Sequence, residues 1–182
     1  MTGSSERTDS AAVALLRDGF DRIHEGVASV LEGLSTDELS WGVDAEANPL
    51  GWLVWHLTRQ QDGQVAHLSG LESPWKAQWH GRLGLAYKRG ASGYGQSAEE
   101  VGRFAVEDGQ LLVGYHDATH DLTMRWLDAM TDEDWRQVID PSWDPPVTVA
   151  VRALSILEDS EKHLGQAEYL RGLLLRRRGA AS

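Results

Sequence analysis

The sequence predicts an all-α fold, a four-helix bundle of two helical hairpins with a long connection between helices two and three. Four long segments carry apolar residues at steps of three and four, the spacing that places them on one face of a helix. No segment has a convincing strand pattern. At 182 residues, with 41% hydrophobic and 25% charged residues, the chain is expected to form one globular domain.

The first helix is expected from about Ser10 to about Gly33, where glycine ends it. A short acidic turn and a polar linker lead to the second helix. There Asn48 is the expected N-cap and Pro49 the first helical residue, where its missing N–H costs nothing. This helix is expected to end near Ser69. The expected core face of the first helix consists of Leu16, Phe20, Ile23, Val27, Val30, Leu31 and Leu34.

Residues 70–96 form the long connection, which is rich in glycine and aromatic residues. Loops of this length are uncommon unless they have a function, so we expect a lid or a substrate-shaping loop, with a short helical turn. Ser97 and Glu100 form a capping-box pattern that predicts a third helix, to about Met130. Its expected core face consists of Val101, Phe104, Leu111, Tyr115, Leu122 and Trp126.

The last long helix, predicted over residues 147–178, carries an acid and an imidazole on one face. Asp159 and His163 are four residues apart, so their side chains point the same way. An unpartnered buried carboxylate is costly, and a metal ion is one common way to satisfy it. A hydrogen-bonded His–Asp pair in the core, or a helix rotated to leave both in solvent, are the alternatives. The apolar stripe that the pair interrupts consists of Ile156, Ala167, Leu170 and Leu174.

Helices two and three carry further histidines. His56 lies beside the core face of helix two. A lone histidine there is more often a hydrogen-bonded core residue than a metal ligand, so its role depends on what the last helix places beside it. His67 lies about 16 Å further along the axis and cannot share a mononuclear site with it. His116 and His120 are four residues apart on helix three. Both fall about 100° or more from the apolar stripe, which predicts flank or surface positions rather than a rival metal site.

Two similar acidic turns suggest an internal repeat. Residues 34–41 and 130–135 each contain a Thr-Asp-Glu turn and a tryptophan, and each is followed by a linker and a helix with a candidate ligand. Two hairpins related by approximate two-fold symmetry would bring His56 and His163 toward one central axis.

The composition limits the location and the partners. A net charge of −11 repels phosphate backbones and anionic lipid, so neither nucleic acid nor a membrane is an expected partner. The chain has no cysteine, which excludes disulfides and thiolate ligands. No apolar stretch follows the first residues, so a cytoplasmic protein is expected. Residues 1–9 and 179–182 are the expected tails of a single domain at residues 10–178.

The two motif helices together resemble the DinB-like superfamily of metal-binding four-helix bundles. This superfamily includes the mycothiol- and bacillithiol-dependent S-transferases and the group once labelled DUF664. The resemblance covers nearly the whole chain, because the helix order also matches. The residues that carry it are 48–57 (NPLGWLVWHL) and 158–166 (EDSEKHLGQ).

The resemblance implies a divalent metal ion held by His56, Asp159 and His163. Many members have three histidines, so the acidic residue makes this chain more similar to members with an acid at that position. Zinc is the default metal, and nickel, manganese and iron are also compatible with this ligand set.

The resemblance further implies an S-transferase-like enzyme that joins a low-molecular-weight thiol of the mycothiol type to a small electrophile, as a homodimer. Trp52, Trp55 and the 70–96 connection could wall its pocket. One alternative is a non-catalytic metal-binding bundle with a stress-response or interaction role. Another is a metal-free helical scaffold in which Asp159 and His163 are merely paired.

Overall fold

The computed structural model describes residues 10–180, which are mostly helical. Four helices of 20 to 32 residues in this part of the chain confirm the predicted all-α four-helix bundle. In chain order the elements are α1 (Ala11–Leu31), α2 (Thr36–Leu39), α3 (Leu50–Ser69), a π-helical turn (Trp75–Trp79), α4 (His80–Leu83), α5 (Ala98–Val101), α6 (Gly109–Ala129), a 3₁₀ turn (Asp134–Arg136), β1 (Val138–Asp140), β2 (Val147–Thr148) and α7 (Val149–Ala180).

The four long helices close a ring of contacts. α1 packs against α6, α6 against α3, α3 against α7, and α7 against α1. The two helices of each expected hairpin, α1 with α3 and α6 with α7, therefore lie diagonally across the bundle. This arrangement places α3 and α7, which carry the candidate ligands, in direct contact.

α3 is the most enclosed helix of the bundle. α6 and α7 cover two of its sides, and the segment that follows it covers a third. Trp55 on α3 and Trp75 on this segment are both fully buried, with ring centroids 6.0 Å apart. Truncating a tryptophan in such a place costs about 3–5 kcal/mol. The aromatic residues of the long connection thus belong largely to the core.

The predicted starts of the first two helices are close to the observed ones. The Ser10 hydroxyl caps α1 by accepting a main-chain N–H at 3.3 Å, and Gly33 follows the helix with a φ of 67°. Asn48 is not the N-cap of α3, so this prediction is wrong. Pro49 is extended, with φ −64° and ψ 154°, and takes that position itself. Its carbonyl accepts the Leu53 N–H at 3.0 Å, the first bond of the helix.

The predicted third helix is divided in two, which corrects the sequence analysis. The capping box of Ser97 and Glu100 forms, but it starts only the single turn of α5. α6 begins after Asp108, whose carboxylate accepts a main-chain N–H at 2.9 Å. Phe104 and Val106 in the linker are both buried. Because residues two apart lie about 200° apart on a helix, a continuous helix could not bury both on one face.

The end of the chain differs from the prediction in two details. β1 and β2 form a short antiparallel pair that the sequence analysis did not predict. α7 continues to Ala180, beyond the predicted end at residue 178. The expected N-terminal tail, residues 1–9, and residues 181–182 lie outside the described residues. Within residues 10–180, none of the helices combines the length and the apolar character that a membrane crossing requires.

Candidate metal centre

Three side chains from two helices meet where α3 contacts α7. His56 projects from α3, and Asp159 and His163 project from adjacent turns of α7, with one ligand atom of each within 4.8 Å of the others. His163 Nε2 and Asp159 Oδ1 are 3.6 Å apart. The rings of His56 and His163 meet edge to face, with centroids 4.7 Å apart. The structure therefore brings together the three residues that the sequence analysis selected, which we call the metal cluster.

A main-chain carbonyl fixes the orientation of the His56 ring. Its Nδ1–H donates to the Ser92 carbonyl at 2.7 Å, so Nε2 of the neutral ring keeps a free lone pair. Trp52 stacks on the ring, with centroids 4.7 Å apart and planes 10° apart. The Trp52 indole N–H in turn donates to the Gln96 side chain at 2.9 Å. The long connection therefore holds both the histidine and the indole that covers it.

Gly93 allows this connection to approach His56 closely. Its φ of 91° lies in the left-handed region that favours glycine. A Cβ at this position would lie 2.3 Å from His56 Nδ1, a distance that real Cβ atoms do not show. The connection is recognisably glycine-rich in the sequence, but neither Gly93 nor Ser92 has a local pattern that points to His56.

Burial lowers the pKa of His56 below its ordinary value of 6.5. The hydrogen bond to Ser92 opposes this shift, the nearby imidazole of His163 adds to it, and the Asp159 carboxylate opposes it. A lowered pKa keeps the ring neutral at neutral pH. The neutral imidazole is the form that binds a metal ion.

Asp159 and His163 lie at the edge of the buried face of α7, which corrects the prediction that they interrupt its apolar stripe. Their side chains are 41% and 19% exposed, whereas the adjacent Ser160 and Leu164 are buried. The predicted apolar stripe itself is buried, and Ser160 and Leu164 continue it in place of the acid and the imidazole. The edge position leaves one side of the metal cluster open to solvent.

Two glycines of α1 receive leucines of α7 beside this face. A Cβ on Gly19 would lie 2.9 Å from the Leu157 side chain, and one on Gly26 would lie 2.5 Å from the Leu164 side chain. Leucines of α7 therefore occupy the space that these glycines leave on α1. Because this packing sets which face of α7 turns inward, it also sets where Asp159 and His163 point.

Gln166 orients the His163 ring through Nδ1, as the Ser92 carbonyl orients the His56 ring. Its side-chain oxygen lies 3.3 Å from His163 Nδ1 and can accept the proton of that nitrogen. His163 Nε2 then faces Asp159. Such hydrogen bonds to the distal nitrogen commonly orient metal-binding histidines. Gln166 belongs to the motif that carries the family resemblance, but the sequence analysis predicted no role for it.

The donor set of the metal cluster fits a divalent metal ion. Two imidazole nitrogens and a carboxylate oxygen suit zinc and several other first-row metals. In a tetrahedral site with metal–ligand distances of about 2.1 Å, ligand atoms lie about 3.4 Å apart. The observed separations, 3.6 Å for one pair and at most 4.8 Å for all, therefore need only small side-chain rotations. Three protein ligands leave a fourth position open, as in catalytic sites.

The remaining candidate residues lie outside the metal cluster. His67 is exposed on the far half of α3. Trp55 belongs to the core, so only Trp52 of the two proposed wall residues contacts the cluster. His120 lies at a flank of α6, as predicted, with 15% of its side chain exposed. His116 is 1% exposed, which corrects its predicted flank or surface position. α6 packs against both α1 and α3, so a second face of this helix is buried.

Comparison with known proteins supports the fold, and the matched region contains the metal cluster. A family model of the DinB superfamily matches residues 20–167, which contain all three candidate ligands. The chain belongs to the DinB superfamily. It is also similar to a crystal structure described as that of the conserved protein of locus from Enterococcus faecalis, with 31% sequence identity and a TM-score of 0.83. That match covers 89% of this chain and 96% of the other. No curated protein matches the chain.

Proposed function

We propose that this DinB superfamily protein binds a divalent metal ion through His56, Asp159 and His163 and transfers a low-molecular-weight thiol, of the mycothiol type, to a small electrophile. The observation that carries the proposal is the convergence of three ligand atoms within 4.8 Å, with one side of the cluster open. The choice of thiol chemistry is supported by the resemblance of the two motif helices to the thiol S-transferases.

A divalent metal ion with an open coordination position binds a thiol and stabilises its thiolate at neutral pH. The residues of this chain supply the geometry. Ser92 and Gln166 hold the two distal ring nitrogens, so both Nε2 atoms remain available. Trp52 covers one face of His56 and excludes water there. In the overall reaction the sulfur forms a bond to an electrophilic carbon. A leaving group such as halide departs with its electron pair, and the thiol proton passes to solvent.

We include zinc as the metal, a homodimer as the assembly and the cytoplasm as the location in this proposal. Zinc is preferred because nitrogen and oxygen ligands with one open position are common in its catalytic sites. Nickel, manganese and iron accept the same ligands. The assembly and location follow from the family resemblance and from the composition of the chain.

Metal content of the purified full-length protein, kept away from chelators, tests the first half of the proposal. We expect about one metal ion per chain by elemental analysis, lost in both His56→Ala and His163→Ala. His24→Ala is the matched control, because His24 is also paired with an aspartate, at 2.8 Å, but lies on α1 outside the metal cluster. Metal that is absent after reconstitution, or retained in both cluster variants, would contradict the proposal.

A transfer assay with the metal-loaded protein tests the second half. The thiol is mycothiol or a simpler model thiol, and the electrophile is an alkyl halide or an epoxide. We expect thioether formation that requires both the metal and His163. A full metal complement without thioether formation would favour the non-catalytic metal-binding bundle.

A further inference from the structure

Arg59 is a buried cation that lines a pocket separate from the metal cluster, one turn along α3 from His56. Only 7% of this residue is exposed. The pocket has a volume of ≈ 570 Å³. Besides Arg59, its walls come from residues 63–67 of α3 and from the following segment, residues 70–76. None of the three candidate metal ligands lines it. Its volume lies in the range of pockets that hold small molecules.

A buried guanidinium normally has an acidic partner, because an isolated charge away from water is costly. Within residues 10–180, no carboxylate oxygen lies within 4.0 Å of the Arg59 guanidinium. Asp62, on the next turn, directs one carboxylate oxygen to other groups, and among the described residues its Oδ1 has no hydrogen-bond partner. Its Oδ2 accepts the Trp75 main-chain N–H at 2.9 Å and the Tyr115 hydroxyl at 2.8 Å. In the same part of the chain, Arg59 Nε is buried without a hydrogen-bond partner.

Neighbouring residues hold the guanidinium at the pocket. It lies over the Trp75 ring, 5.4 Å from the centroid. Burial raises the pKa of Tyr115 well above its ordinary value, and Arg59 opposes that shift, so its charge lies near the Tyr115 hydroxyl. Arg59 Nη1 lies 2.9 Å from where a Gly63 Cβ would be. Because Gly63 itself lines the pocket, the Nη end of Arg59 faces that space.

We propose that this pocket binds the carboxylate group of a small molecule, with Arg59 as the buried donor and Lys76 as a second cation at the rim. Two parallel N–H groups of a guanidinium match the two oxygens of a carboxylate. Lys76 and His67 are exposed at the rim, and Glu72 is exposed there too. The acidic rim residue and the net charge of −11 favour a monoanion over a dianion such as phosphate.

NMR of the full-length ¹⁵N-labelled protein tests this site directly. The buried Arg59 Nε–H gives a side-chain signal that is followed during titration with benzoate at constant ionic strength. Benzamide, which has the same ring but no charge, is the matched control ligand. We expect a saturable shift of the Arg59 signal with benzoate and no comparable shift with benzamide.

Three variants sharpen the test, each checked first for a native spectrum. Benzoate binding is followed in them by the main-chain amide signals of residues 63–76, which remain when Arg59 is replaced. Gly63→Ala keeps the arginine but displaces its Nη1, because the new Cβ would lie 2.9 Å from that atom. Arg59→Lys keeps the charge but removes the two parallel N–H groups. We expect each to weaken benzoate binding about tenfold. Lys76→Gln at the exposed rim should weaken it only about twofold to threefold. Arg82→Lys is the control, because Arg82 also lies over a tryptophan, Trp79, at 4.3 Å, but is exposed.

Several results would overturn the inference. Benzoate binding that is absent, or unchanged in both Gly63→Ala and Arg59→Lys, would exclude Arg59 as the donor. Tighter binding of inorganic phosphate than of benzoate would overturn the choice of a carboxylate. The metal-free His163→Ala protein should bind benzoate like the wild type, so this test is independent of the proposed metal chemistry.

Discussion

The bundle holds two groups of histidines at opposite interhelical contacts, and they differ in what their nitrogens can do. The metal cluster lies between α3 and α7. The second group, which we call the histidine stack, lies between α1 and α6 and consists of His24, His116 and His120. The His24 ring is 4.3 Å from that of His120 and 5.8 Å from that of His116, in near-parallel planes. Within residues 10–180, only the metal cluster places three ligand atoms close enough for one metal ion.

The carboxylates are distributed differently in the two groups. In the histidine stack each outer ring has its own acid: His24 Nε2 lies 2.8 Å from Asp117 and His120 Nε2 lies 2.7 Å from Asp21. In the metal cluster two rings lie beside one aspartate. Neutral oxygen atoms, of the Ser92 carbonyl and the Gln166 side chain, accept hydrogen bonds from their Nδ1–H groups. One acid per histidine gives separate hydrogen-bonded pairs, whereas one acid beside two histidines gives three ligand atoms for one metal ion.

The third ring of the histidine stack is sealed from solvent. Thr58 donates its hydroxyl proton to the Val54 carbonyl at 2.8 Å, so its oxygen accepts the His116 Nδ1–H at 3.0 Å. His116 Nε2 is then a buried acceptor with no partner among the described residues. Burial, together with the charges of His24 and His120, lowers the pKa of His116 from 6.5 to about 3. This ring is built to stay neutral in the core.

The largest effect should come from changing the backbone that holds His56. In Gly93→Ala the new Cβ would occupy a place 2.3 Å from His56 Nδ1, so the ring or the connection must move. We expect metal affinity to fall about 10- to 100-fold, the usual effect of losing an outer partner of a ligating histidine. Isothermal titration with zinc measures this change.

Gly90→Ala is the matched control for this prediction, because a Cβ there meets no atom within 4 Å. If both variants bind zinc as the wild type does, the close approach of Gly93 does not orient His56. That result would contradict the conclusion that the connection prepares this ring as a metal ligand.

The histidine stack should instead determine how stability depends on pH. The folded-state pKa of His116, about 3, lies below the ordinary 6.5, so the unfolded chain binds this proton more tightly. The resulting stability is present at neutral pH and is lost as the pH falls from about 6.5 toward about 3. Between pH 7 and pH 5 the loss from this residue is about 2 kcal/mol.

Urea unfolding of the metal-free protein at the two pH values measures this loss. His116→Gln cannot take up the proton, so its stability should change less across the same interval. His67→Gln, which alters an exposed histidine, should keep the wild-type dependence. An equal pH dependence in His116→Gln and the wild type would show that His116 is not the group responsible.

The smallest effect is expected for the His–Asp pairs of the histidine stack. His24 and Asp117 are 34% and 54% exposed, and exposed pairs contribute less than about 1 kcal/mol. Asp117→Asn should therefore change the unfolding free energy little and leave zinc binding unchanged. A loss of zinc in this variant would show that the two histidine groups are coupled across the bundle.

The two candidate ligands on α7 were predictable because local spacing along the helix determines their relative position. Asp159 and His163 are four residues apart, and helix geometry alone puts them on one face. His56 was selected by the internal repeat, which placed it toward the same axis as His163, and by the family resemblance of its motif. The residues that orient the ligands, Ser92 and Gly93, were not predictable, because they lie in a connection whose path depends on the core beneath it.

The sequence by itself determined the all-α class, the four long helices and the ligand pair of α7, because the periodicity of apolar residues along a helix is a local property of the chain. The tertiary structure decided where the edge of each buried face lies and which helices gain a second one. The glycines at positions 19 and 26 receive leucines of α7, and Asp159 and His163 lie at the edge of the core. α6 acquired a second buried face that encloses His116, and α3 acquired neighbours that enclose Arg59. These outcomes depend on how surfaces distant in the chain fit together, which no local spacing specifies.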